Sequence, residues 1–115
     1  MSAPIVFFDI AGPDDEALRR FYREVFAWNA GEGGQLNLEV LTPLSANIRK
    51  DPAEKRVYVG VEDVTATLDA VVAAGGSVDT PRFEVPGVVV LGLFRDPAGN
   101  PMGLVEMEGG EAKVP

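Results

Sequence analysis

Two stretches of this chain share one order of elements, and that repeat narrows the fold more than any single motif in it. Each copy opens with a short apolar strand, turns through acidic residues, and runs into a helix with one apolar stripe. In the first copy Pro4–Ile10 is the strand and Ala11-Gly12-Pro13-Asp14 the turn. Proline and acids suit the first helical positions, where N–H groups lack partners and the dipole favours negative charge. Ala17, Leu18, Phe21, Tyr22, Val25 and Phe26 then recur at helical spacing, with Arg19, Arg20, Arg23 and Glu24 on the other face. The helix is expected to stop near Ala27-Trp28, because residues 29–34 are turn material. Gln35–Leu41 and Leu44–Arg49 read as further strands, and residues 50–55 as a polar connector.

The second copy begins with a strand at Arg56–Val61 and an acidic helix start at Glu62-Asp63. Its stripe is Val64, Leu68, Val71 and Val72, and Gly75-Gly76 closes it near Ala74. Strands near Ser77–Val78, Val88–Phe94 and Met102–Met107 follow. The opening strands lie about fifty residues apart, and two copies are too few for a solenoid. The expected fold is therefore α+β, built from two βαβββ modules at about 4–50 and 56–108. A single domain spans 1–108, and 109–115 is expected to be a flexible tail. Neither module alone buries much core, so the two should pair, within one chain or across a dimer.

The last two strands enclose Arg95-Asp96-Pro97-Ala98-Gly99-Asn100-Pro101, in which Asp, Pro, Gly and Asn each favour a turn for a different reason. Glu106 is the one charge inside the closing strand, and a carboxylate there needs water, a cation or a hydrogen-bonding ligand.

Composition excludes several chemistries. A formal charge of −8 and the lack of any basic run argue against nucleic acid as a partner. There is no cysteine and no histidine, which removes disulfides, thiolate metal sites and the commonest general base and transition-metal ligand. No apolar run approaches a membrane span, and MSAPIVFFDI lacks the basic start of a signal peptide. A cytoplasmic protein that does not engage a membrane is expected.

The stretch TPRFEVPGVVVLGLFRDPAGNPMGLVEME, taken with VFFDIAGPDDEALRRFYREVFAW and VYVGVEDVTATLDAVVAAGG, resembles the glyoxalase/bleomycin-resistance/dioxygenase domains of the vicinal oxygen chelate superfamily. The resemblance thins between Asn29 and Lys55. It implies a cupped mixed sheet with helices on the outer face, and commonly a homodimer. In metal-dependent relatives the ligands are His, Glu or Gln on equivalent strands. Here Phe7 and Arg56 fall at two of those positions, Asn47 is a weak match for a third, and Glu106 alone is of ligand type. Phenylalanine cannot ligate a metal, a guanidinium repels one, and one carboxylate does not hold a divalent ion. No metal or other cofactor is therefore expected, with an all-oxygen site from Asp9, Glu39 and Glu106 as the disfavoured exception.

Alternation along the strands separates Val6, Phe8 and Ile10 from Phe7 and Asp9, and Val57, Val59 and Val61 from Arg56 and Tyr58. It also separates Val105 and Met107 from Leu104 and Glu106. The mixed sets are expected to face the cup, with Asp9, Arg56, Tyr58 and Glu106 as its polar groups, and an Arg56–Glu106 pair is expected to replace the metal. Phe7, Trp28, Tyr58 and Phe83 are candidate aromatic walls. Three functions are open. The first is metal-free binding of a small molecule, through Phe7, Asp9, Trp28, Arg56, Tyr58 and Glu106. The second is a glyoxalase-like lyase, isomerase or dioxygenase-related enzyme with Glu106 as its catalytic group. The third is an assembly module with a filled pocket.

Overall fold

The structure is a computed structural model that describes residues 2–37 and 44–115, giving the backbone alone at residues 21, 22, 25 and 26. Two compact units emerge: Phe7–Arg56, and Val57–Pro115 together with the chain's start up to Val6.

The first unit holds most of β1 (Ile5–Gly12), then α1 (Asp15–Phe26), β2 (Asn29–Ala30), a 3-10 turn (Glu32–Gly34), β3 (Gln35–Asn37) and β4 (Ser45–Lys50). Asp14 caps α1, its Oδ1 accepting from the Ala17 N–H at 3.0 Å. The helix ends where expected, with Ala27 in the left-handed region at φ 58°. The strand order is β2-β3-β4-β1, antiparallel except for the parallel pair β4–β1. Leu36, Ala46 and Ile48 form the core, and Phe8, Leu18, Trp28 and Ala30 pack on it, so α1 covers one face of the sheet. The strand expected at Gln35–Leu41 is seen as far as Asn37; residues 38–43, including Glu39, lie outside the described residues, as do the side chains of Phe21, Tyr22, Val25 and Phe26.

The second unit holds most of β5 (Glu54–Val61), followed by α2 (Val64–Ala73), β6 (Ser77–Val85), β7 (Val89–Arg95), β8 (Pro101–Glu108) and β9 (Glu111–Ala112). Asp63 caps α2 at the Ala66 N–H. At the other end Gly76 N–H bonds Val71 O and Gly75 N–H bonds Val72 O, a Schellman closure that the φ of 98° at Gly75 makes possible. The order is β6-β7-β8-β5, again antiparallel except for the parallel pair β8–β5. This is the order of the first unit, element for element, so the repeat read from the sequence is a repeat of topology. Val64, Leu68 and Leu104 form the core, with Val59, Val61 and Phe94 packed against it. Val72, expected in the stripe, is 56% exposed.

Two segments differ from expectation. β6 runs nine residues rather than two, because Pro81 and two register shifts are tolerated on a strand at the end of the sheet order. Residues 109–115, read above as a flexible tail, carry β9 paired to β8, and the Lys113 N–H donates to Glu106 O at 2.8 Å. No helix among the described residues is long and apolar enough to cross a membrane.

Candidate functional site

In the first unit the packing of Phe8, Ala46 and Ile48 toward α1 leaves Phe7, Asp9, Asn47 and Arg49 on the opposite face of β1 and β4. Asp9 is 2% exposed and directly opposite Asn47 in the ladder. Arg49 donates from Nε to Asp9 Oδ2 at 2.9 Å, from Nη1 to Asp51 at 2.8 Å, and from Nη2 to Glu54. Glu54 also receives Arg56, from Nε at 3.3 Å and from Nη2 at 3.4 Å. Arg56 is 5% exposed.

The result is a chain of alternating charge, Asp9–Arg49–Glu54–Arg56. Burial disfavours the Arg49 cation, but its bonds to Asp9, Asp51 and Glu54 outweigh that and raise its pKa. For Glu54, burial pushes the carboxyl up while Arg56 and Arg49 pull it down further, below its usual value. Sequence reasoning named Asp9 and Arg56 but missed Arg49; the signal was available, since Ile48 in the core puts Arg49 on the other face. Asn47 Oδ1 is buried and, among the described residues, has no hydrogen-bond partner.

In the second unit Val59 and Val61 point to α2, so Tyr58 lies on the other face of β5. Tyr58 lies across Gly103 of β8, where a Cβ would stand 2.4 Å from the ring. Trp28, a candidate wall, packs on the Leu36–Ala46–Ile48 core, and Phe83 lies opposite Leu91 on β6 and β7.

Glu106 differs from expectation. It lies on the α2 side of the sheet, two residues along from Leu104, and accepts the Val64 N–H at 3.1 Å. Alternation sorts residues into two sets but does not say which set meets the helix, and here Leu104 took α2 and carried Glu106 with it. Its cation is Arg82 of β6, which reaches across β7 to bond both carboxylate oxygens at 2.9 Å; Lys113 Nζ lies at 3.5 Å. The bonds from Arg82 hold the Glu106 pKa down at about 2. Arg56, expected as its partner, is bonded to Glu54. Arg82 was hidden because β6 was read too short.

A divalent metal fits these residues poorly. Among the described residues no three His, Cys, Asp or Glu side chains cluster as a metal site. The carboxylates of Asp9, Glu54 and Glu106 are each bonded to a guanidinium.

Comparison with known proteins places this geometry. Residues 5–105 match the glyoxalase-like domain family. The chain is 28% identical over 111 residues to the putative glyoxylase CFP32 of Mycobacterium tuberculosis and Mycobacterium bovis, covering 84% of this chain and 42% of theirs. It is also 28% identical over 118 residues to the anthracycline biosynthesis protein DnrV of Streptomyces peucetius, covering 81% and 43%. The chain thus spans about two-fifths of the length of these curated relatives. Among solved structures, a methylmalonyl-CoA epimerase in complex with methylmalonyl-CoA superposes with a TM-score of 0.66 at 16% identity, over 98% of this chain and 100% of that one. The methylmalonyl-CoA epimerase of Mycobacterium tuberculosis gives 0.60 at 13%, over 90% and 87%. The repeated βαβββ topology is that of the vicinal oxygen chelate fold, and the chain belongs to the family of glyoxalase-like domains.

Proposed function

We propose that this domain binds a small organic molecule without a divalent metal, on the face of β1, β4 and the Glu54–Arg56 end of β5 turned away from α1. One observation carries the reading: Asp9 and Glu54, the carboxylates on that face, are already neutralised by Arg49 and Arg56. A hard cation needs several free oxygens and no neighbouring positive charge. A polar organic ligand needs a few fixed polar groups among apolar ones, and Phe7, Arg49, Arg56 and Asn47 supply them.

In this reading Glu106 is a clamp between β8, β6 and α2. A carboxylate held at a pKa of about 2 is a weak base near neutral pH, so acid–base chemistry through Glu106 is the poorer alternative. The domain is proposed to act as a homodimer, the arrangement that the resemblance to the superfamily implies.

The neighbours crystallised with coenzyme A esters make methylmalonyl-CoA the first probe. Calorimetric titration of this ester and of uncharged analogues, with and without EDTA, tests the reading. Saturable binding that EDTA leaves unchanged and Arg49→Ala weakens is expected; binding that appears only with added Mn²⁺ or Zn²⁺ overturns it.

A further inference from the structure

A second binding feature lies within the unit formed by Val57–Pro115 and the chain's start. It is an open groove of about 670 Å³ at the carboxyl ends of the parallel neighbours β5 and β8, closed on one side by the turn into β9. That volume is of the size that holds a small organic ligand.

We propose that this groove takes a small organic monocation, an alkylammonium with an apolar body. Pro4, Val61 and Met107 give the groove an apolar floor. Its charged lining is Glu62, Glu106, Glu108 and Lys113. Glu106 and Lys113 face each other at 3.5 Å, and Glu106 is also held by Arg82 at both oxygens. Glu62 and Glu108 are exposed and, among the described residues, have no ion pair or side-chain hydrogen bond. Arg82 and Lys113 both serve Glu106, so the exposed carboxylates of Glu62 and Glu108 are the charges left to meet an ammonium group. The acidic chain as a whole, at −8, draws cations toward it. The turn at Gly109 and Gly110 fixes the wall by returning the Lys113 N–H to Glu106 O.

The test uses three six-carbon probes of one shape: hexylammonium, hexanol and hexanoate, titrated at low salt and followed by amide NMR. Hexylammonium is expected to bind saturably, shifting the Gly60, Gly109 and Gly110 amides, with hexanol weaker and hexanoate excluded. The double substitution E62Q/E108Q, at two exposed side chains, should weaken hexylammonium about fivefold and flatten its salt dependence. Equal binding of hexanol and hexylammonium, no binding of any probe, or an unchanged affinity in E62Q/E108Q would each overturn the proposal. Arg49→Ala should leave this binding intact, which separates the groove from the metal-free site proposed above.

Discussion

Glu106 needs Arg82 more than Arg82 needs Glu106, because the carboxylate is 6% exposed while the arginine keeps a third of its surface in water. Removing the cation leaves a buried charge with the Val64 N–H and a longer ammonium contact, which costs about 3 kcal/mol in comparable cases. Arg82→Ala should lower unfolding free energy by that order in urea denaturation, and Arg82→Lys by less. The same pair sets an acid dependence. Its pKa falls from 4.5 to about 2 on folding, so the stabilisation is complete above pH 4.5 and is lost as pH drops toward 2. Glu106→Gln should flatten the stability profile between those limits when ellipticity is followed in urea. Ala27 offers an opposite case. At φ 58° it occupies a position glycine prefers, and Ala27→Gly should stabilise α1's end by about 0.5–1 kcal/mol in thermal melts.

At the scale of elements, Leu104 is the side chain through which β8 meets α2, and Leu104→Ala should cost about 3 kcal/mol in chemical denaturation. Gly92 of β7 lets the helix sit that close, since a Cβ there would come within 2.6 Å of Val64. Both helices, their caps and most strands were legible because apolar spacing and turn residues are local signals. Asp96, which the sequence marked as a turn residue, does accept the Ala98 and Asn100 N–H groups at 2.9 Å. What local signals cannot carry is the phase of a strand against its helix. The wholly apolar set of Val59 and Val61 does meet α2, but the same cue pointed to Val105 and Met107 in β8, where the mixed set of Leu104 and Glu106 meets the helix instead. β6 failed for another reason: its apolar residues are interrupted by Asp79, Pro81, Arg82 and Glu84, as befits a strand at the end of the sheet order. Arg82, which neutralises the buried Glu106, became visible only once strand pairing placed it.

Across the whole chain, two units of identical strand order each keep their buried carboxylates in partnership with arginine: Asp9 with Arg49 in one, Glu106 with Arg82 in the other. A family whose sheets can serve metal chemistry is here represented by a domain with neither histidine nor cysteine. Its buried carboxylates, Asp9 and Glu106, are paired with arginines of its own. That arrangement is the ground for a metal-free role, and it makes metal affinity the decisive quantity. The most direct measurement is the metal content of the purified protein, with its melting temperature recorded as Mn²⁺, Ni²⁺ and Zn²⁺ are added. Any ion bound specifically by the native state must raise that temperature. A metal-free domain predicts far less than one metal per chain and no rise with any of the three ions. A stoichiometric metal, or a melting temperature that climbs with ion concentration, would contradict it.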